Sequence, residues 1–454
     1  MTQVVRAAIG AGLLVGMGGV PLLAQSLALP AADPVGIARS GAQVAYGYSL
    51  EAASANPALL SSLKEKGGFY LSGGLEMMAI QQSLESEQTT KQKVYQSTDR
   101  NRFLAGFGLA ARLTPRLTLG LKLDQPYMRH AELPAGAPTR YLGESIDLGT
   151  HRLEGQASWA ISPNMSAGIG LGVARLSYDA STLMRFNLIN AVTDQVDGLV
   201  EQRVGESGHK VVPSYSLGFR WAISPRWTMG VTHQSGLKGD LSMTGGFVQG
   251  PLGYYAPDGL SAANAGLEAP AAALLAASRV NPGRPTLELP SQTTIGMRHR
   301  VSTLVTWEAD LRWTSGNLQM PTYATVSTPN GLVVAPAELP RGKGYLGIHA
   351  STEIALGKLW TIRGGLALDQ QSIEESGREP LLGGSRTSAF SFGAGLRVWG
   401  GELNLGYQFR QSEDQDSHQG DGTWSANGFS PRTVTRLRLE GMGHLMALGF
   451  KKTF

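Results

Sequence analysis

No cysteine occurs among the 454 residues, so disulfides and thiolate metal sites are excluded. Charged residues are also scarce, at 16 %, and the formal balance of +4 is small for the length. No basic stripe of the kind that follows a phosphate backbone is present, which argues against a nucleic-acid partner. Beyond the first 28 residues there is no run of about 18 uninterrupted apolar residues, so no transmembrane helix is expected in the mature chain. What is present is glycine, 59 residues of it, among apolar side chains that alternate with polar ones. The mean hydropathy is accordingly near zero, −0.09. Length alone would suggest two or three soluble domains. The alternation points instead to a closed barrel, because open strand edges cannot be satisfied in lipid.

The one apolar stretch, AAIGAGLLVGMGGVPLLA, follows Arg6 and precedes small residues at Ala24, Ser26 and Ala28. This is the pattern of a Sec-type signal peptide over residues 1–28, with cleavage expected after Ala28 or Ala24.

From residue 66 onward, Pro and Gly mark six short turns: LTPR near Pro115, ISPN near Pro163, ISPR near Pro225, Val301–Ser302, ALGK near Gly357, and WGGE at Gly400–Gly401. Longer polar stretches such as 83–100, 246–285 and 411–432 alternate with them. Short turns on one side and long loops on the other are the asymmetry of outer-membrane barrels. The segments between carry a period of two. Val305, Trp307, Ala309, Leu311 and Trp313 oppose Thr306, Glu308, Asp310 and Arg312, and Leu403, Leu405, Tyr407 and Phe409 oppose Asn404, Gly406, Gln408 and Arg410. Fourteen such segments are counted, too many for a soluble sandwich without a further core-forming element. The expected fold is all-β, a 14-stranded antiparallel transmembrane barrel over residues 66–454. The chain ends on Phe454 with Phe450 on the same face, which resembles the C-terminal signal read by the barrel-assembly machinery, although Lys452 departs from it. Residues 29–65 do not alternate, and their Ala, Val, Leu and Tyr content argues for a luminal plug over a disordered tail.

The run SANPALL in that segment resembles the hatch of the FadL family of outer-membrane fatty-acid and hydrocarbon transporters, with Asn56, Pro57 and Ala58 at the family's Asn-Pro-Ala motif. The similarity continues through LEGQASWAISPNMSAGIGLG, YSLGFRWAISPRWTMGVTHQS, the LELP stretch before Ser291, LWTIRGGLALD and the closing phenylalanine. The resemblance implies a hatch whose gating involves Arg39 and Asn56–Pro57–Ala58. It also implies passive diffusion of an apolar ligand through the bacterial outer membrane, without cofactor or metal. Long-chain fatty acids are the expected cargo, with aromatic or aliphatic hydrocarbons as the alternative. The expected surroundings are outer-membrane lipid and lipopolysaccharide, and a monomer is expected.

Five expectations concern the path and the lumen. Gly168, Gly170 and Gly172 fall on the lumen face, where glycine leaves room for another backbone or simply permits curvature. Pro126 interrupts the third strand and should open a local gap, and family members have a lateral opening where Gln125–Pro126–Tyr127 falls; the alternative is that Pro126 marks the strand's end. The stretches 183–204 and 259–280, within loops at about 181–209 and 246–285, have apolar residues at helical spacing. Their Leu183, Phe186, Leu188, Ile189, Leu274 and Leu275 would line an outer groove. Arg175, Arg341 and Lys343 lie near strand ends and are candidate carboxylate partners. Glu308, Asp310, Arg312, Arg363, Asp369 and Arg410 should meet in a luminal ion-pair network.

An enzyme is disfavoured. There is no Gly-x-Ser-x-Gly elbow, none of the eight histidines has metal-binding spacing, and His151, His233 and His349 read as structural. GFGLAA at Gly106 and Gly108 lies mid-strand, with no helix to hold a phosphate. A plain diffusion porin is the other rival, and the plug-like segment argues against it.

Overall fold

The computed structural model describes residues 33–454 except 47–49, 87–88, 97–101, 133–142, 190–195, 249–272, 275, 283–284, 322–323, 328, 330–332, 335–341, 373–385, 413–414 and 419–435. The signal segment, Leu275, Arg341 and much of the three long loops therefore lie outside the described residues.

Fourteen antiparallel strands close into a barrel: β1 (Gly67–Ser86), β2 (Arg102–Arg112), β3 (Leu117–Asp124), β4 (Ser145–Ser162), β5 (Met165–Ile189), β6 (Val196–Ala222), β7 (Trp227–Gln234), β8 (Gln292–Arg300), β9 (Val305–Thr314), β10 (Tyr345–Leu356), β11 (Trp360–Asp369), β12 (Thr387–Val398), β13 (Gly401–Ser412) and β14 (Arg436–Thr453). The first strand pairs with the last from Gly68↔Thr453 to Glu85↔Arg436, which leaves no sheet edge in lipid. In β9 the side chains are sorted against the rule for water-soluble sheets. Trp307, Leu311 and Trp313 are 53, 46 and 49 % exposed, whereas Glu308 and Asp310 are 2 % exposed. Only lipid outside and a polar filled interior make that inversion stable.

The six short turns gather at the end that also holds residue 66 and Phe454. Exposed Trp159, Trp221, Trp227, Trp307, Trp360 and Trp399 stand near them, as an interfacial aromatic girdle does. At the other end the β5–β6 hairpin continues its ladder through Phe186↔Val200 to Ile189↔Val196. The helix expected over 181–209 is thus corrected to strand. Extending an existing ladder avoids the costly nucleus that an isolated helix requires, and the apolar spacing there fits either period. Over 246–285 the described residues include the strand Arg279–Asn281, paired with Thr325–Ser327. Leu274 packs with Phe247 and Val280 onto buried Val204, Ala324 and Val326.

Residues 33–63 lie inside the barrel. Asp33 caps the five-residue helix α1 (Pro34–Ala38) by accepting from Gly36 N at 2.7 Å. Asn56 caps the 3₁₀ turn Pro57–Ser62 by accepting from Ala58 N at 3.1 Å. Both are a short polar cap followed by proline, which supplies a preset φ and needs no donor at the first helical position.

Candidate functional site

The buried carboxylates of β9 hold the N-terminal segment by its backbone. Glu308 accepts from Ala45 N at 2.7 Å and pairs with Arg39 at 2.7 Å, while Asp310 accepts from Gln43 N and Val44 N at 2.9 and 3.1 Å. The Arg39 guanidinium lies 4.0 Å from the centre of the Tyr46 ring, whose hydroxyl donates to Glu353 at 2.6 Å. His349 reaches the Ser40 carbonyl at 2.6 Å and Asp369 at 3.1 Å. Arg363 bonds Glu353, Asn404 and Glu402 at 2.8, 2.7 and 2.9 Å. Arg39, Glu308, Arg363 and His349 thus each have a charged or hydrogen-bonding partner, as low dielectric demands.

The Asn-Pro-Ala turn fits against glycine. A Cβ on Gly168 would stand 2.4 Å from Ala58 N, and one on Gly218 would stand 2.1 Å from Asn56 Oδ1. Asn56 Nδ2 also donates to Val44 O at 2.9 Å and to Phe219 O on β6 at 3.1 Å. Gly170 faces Glu154 and Ser216, and Gly172 faces the β4 backbone, so of the three glycines in GIGLG only Gly168 receives the segment.

Burial, and next the nearby Glu51 charge, push the Asp33 carboxyl up to about 7. The protonated acid is therefore the form that suits the docked segment. This contribution is fully present below the ordinary value near 4 and is lost as pH rises through about 7. Leak current through the purified protein in planar bilayers should be larger at pH 8 than at pH 5. Asp33→Asn, which keeps the cap, should flatten that difference; a pH difference of wild-type size in the variant would show that another group is responsible.

The barrel wall is broken beside this segment. Main-chain pairing of β2 with β3 ends at Phe107↔Leu123. The chain resumes as a short strand, Met128–Glu132, paired only with β4. Between them Gln125 spans the gap: its Oε1 accepts from Ala105 N at 3.2 Å and its Nε2 lies 3.2 Å from His151 Nδ1. At Tyr127 one main-chain bond to β4 remains, Thr150 N donating to Tyr127 O at 3.1 Å, and Thr150 Oγ1 supplies the rest, accepting from Tyr127 N at 2.9 Å and donating to Tyr127 O at 2.8 Å. Gln125 and Pro126 line a luminal cavity of about 60 Å³, room for roughly four waters. Asp33, Gln43 and Val44 of the N-terminal segment line it too, with Arg152, Gln234, Gln292 and Arg312.

Two charge arrangements here were not anticipated from the sequence. Arg152 is bidentate to Asp124 at 2.8 and 2.6 Å, and Lys122 reaches Glu154 at 3.2 Å and Ser54 O at 3.0 Å. Their period-two placement opposite Leu117, Leu119, Leu121 and Leu153 was the available signal. Arg312, 9 % exposed, has no carboxylate within 4.0 Å among the described residues. Its one hydrogen bond is a long 3.5 Å contact to Gly41 O, and its Nε has no partner.

Tyr127 belongs to a buried apolar cluster on the loop side of the cavity, with Ile146, Leu148, Leu176, Leu237 and Leu289, and its hydroxyl donates to Pro290 O. Of the residues expected to line an outer groove, Leu274 packs beside Val280 and Leu275 lies outside the described residues. Leu183, Phe186, Leu188 and Ile189 sit on β5 opposite Arg203, Val200, Gly198 and Val196. Arg175 is also corrected: it is exposed on the outer face of β5 beside His151, because odd-numbered residues of that strand point away from the lumen. Lys343 is exposed outside the cavity, its backbone N donating to Ser372 O at 2.7 Å.

A closed lipid-facing barrel whose lumen is filled by its own N-terminal segment defines an obstructed outer-membrane channel, distinct from an open porin. Residues 23–454 match the family profile described as outer membrane protein transport protein (OMPP1/FadL/TodX), and the chain belongs to that family. It is a bacterial outer-membrane transporter of hydrophobic compounds. Similar solved structures include a Pseudomonas aeruginosa FadL homologue (15 % identity, 95 % of this chain and 100 % of that chain covered, TM-score 0.71). The Pseudomonas putida toluene transporter TodX matches with 14 % identity, 95 % and 100 % coverage and a TM-score of 0.63. The Ralstonia pickettii toluene transporter TbuX matches with 14 % identity, 94 % and 99 % coverage and a TM-score of 0.59. At these identities the structural similarity shows a shared fold and nothing beyond it. No curated protein sequence is significantly similar to the chain.

Proposed function

We propose that the protein carries long-chain fatty acids passively inward, past a hatch formed by residues 33–63 and out sideways through the gap at Gln125–Pro126–Tyr127. The observation that carries this reading is the cavity itself, lined by residues of both the N-terminal segment and the broken strand. Gln125 stands roughly 20 Å above the short-turn end, eight residues beyond Leu117 at the usual rise and tilt. Such a height places the exit in the outer half of the apolar band. The cavity as it stands is too small for an alkyl chain, so Asn56–Ala58 and the Arg39 contacts must shift to admit one. The apolar cluster around Tyr127 and Leu289 suits the chain, each methylene contributing roughly 0.8 kcal/mol on burial. The Arg312 guanidinium, whose Nε is unpartnered and which has no carboxylate within 4.0 Å among the described residues, suits a carboxylate and favours fatty acids over the hydrocarbon alternative.

Pro126→Val restores a backbone donor facing β2. One recovered ladder bond is worth about 1 kcal/mol, so fatty-acid uptake into vesicles holding the variant should fall roughly fivefold. Uptake equal to wild type would remove the lateral exit from this reading.

A further inference from the structure

The short-turn end carries exposed bases around its whole circumference. Arg116, Arg226, Arg300, Lys358 and Arg397 stand at or beside five of the six turns, and Lys452 is the penultimate residue of β14. Only the Pro163–Asn164 turn is uncharged. The one exposed acid at this end among the described residues, Glu65, lies between Lys64 and Lys66. None of the six side chains has a carboxylate partner among the described residues.

Their position relative to the tryptophan girdle decides what they can meet. Trp227 adjoins Arg226, and Lys358 and Arg397 are each two residues from Trp360 and Trp399. Tryptophan settles at the headgroup boundary, so the bases lie at the level of phosphates, not deep in solvent. We infer that this ring docks the barrel on anionic phospholipid headgroups of the periplasmic leaflet. A folded acidic protein would meet one arc of the ring, whereas a leaflet meets all of it. A cation beside an anionic leaflet contributes roughly fivefold in affinity, so six together hold the rim firmly. With the lower rim fixed in this way, the height of the Gln125 gap in the opposite leaflet is fixed too.

The test uses the whole protein in vesicles of phosphatidylcholine with one-fifth phosphatidylglycerol, extracted mildly, with the retained lipid measured by mass spectrometry. The wild type should retain phosphatidylglycerol enriched at least fivefold over the bulk. The enrichment should vanish in molar salt, where the screening length is about 3 Å. It should also vanish in the variant R116Q/R226Q/R300Q/K358Q/R397Q/K452Q, whose fold is checked by heat-dependent gel mobility. A three-substitution variant, R226Q/K358Q/R397Q, should fall between and serves if the full set does not insert. Absence of enrichment in the wild type, or wild-type enrichment in the variants, overturns the proposal. So does salt-sensitive capture of an acidic periplasmic protein without lipid enrichment.

Discussion

Replacing Glu308 and Asp310 together by alanine should turn a barrel whose lumen holds its own N-terminal segment into a conducting pore. The two carboxylates accept three backbone N–H groups of Gln43, Val44 and Ala45 and neutralise Arg39. A hydrogen bond to a charged group is worth at least about 1.5 kcal/mol. Losing three shifts the docked segment toward release by about 4.5 kcal/mol, or on the order of a thousandfold. Both side chains point inward and neither faces lipid, so closure of the barrel through β1 and β14 should persist. Heat-dependent gel mobility verifies that. Single-channel recording then decides: a correctly folded double variant that stays closed would mean that these contacts do not hold the segment in place.

The second large effect is expected at Arg312. Its guanidinium is buried, lines the cavity and has no carboxylate partner within 4.0 Å among the described residues. Asp310 and Asp369 act on it only from beyond 4.0 Å, and a ligand carboxylate would bond it directly. Arg312→Gln should weaken fatty-acid binding by roughly tenfold to a hundredfold, the range for a lost charge-assisted bond. Uptake of toluene or an alkane, which offers no acceptor, should stay within about twofold of wild type. The contrast between the two ligands carries the meaning. Equal losses for both would point to a damaged lumen, and no loss for the acid would restore the hydrocarbon reading.

Much of the wall was legible because a strand in lipid has only two faces. Val305–Trp313 displayed its outward and inward residues in the sequence, and the barrel follows from fourteen repetitions of that pattern. The luminal position of Glu308, Asp310, Arg312, Arg363 and Arg410 followed from the same parity. Parity also contradicted Arg175 as a ligand partner, since it shares the outer face with Leu171 and Val173. The outer hairpin was misread as helix because LMRFNLIN satisfies both periods, and only the neighbouring ladder chooses between them. Pro126 announced a fault in β3. It did not announce that Gln125 and Thr150 would mend the fault with side-chain atoms.

The sequence by itself determined an exported, cysteine-free, strand-built chain with lipid outside and polar groups within, since each of those properties is local and repeats along the backbone. Which luminal groups meet was decided by the closed cylinder alone. Glu308 meets Arg39 across a sequence separation of 269 residues, and Gly168 meets Ala58 only where the segment is folded into the lumen. No local pattern encodes contacts of that range, because they depend on the register of every strand between.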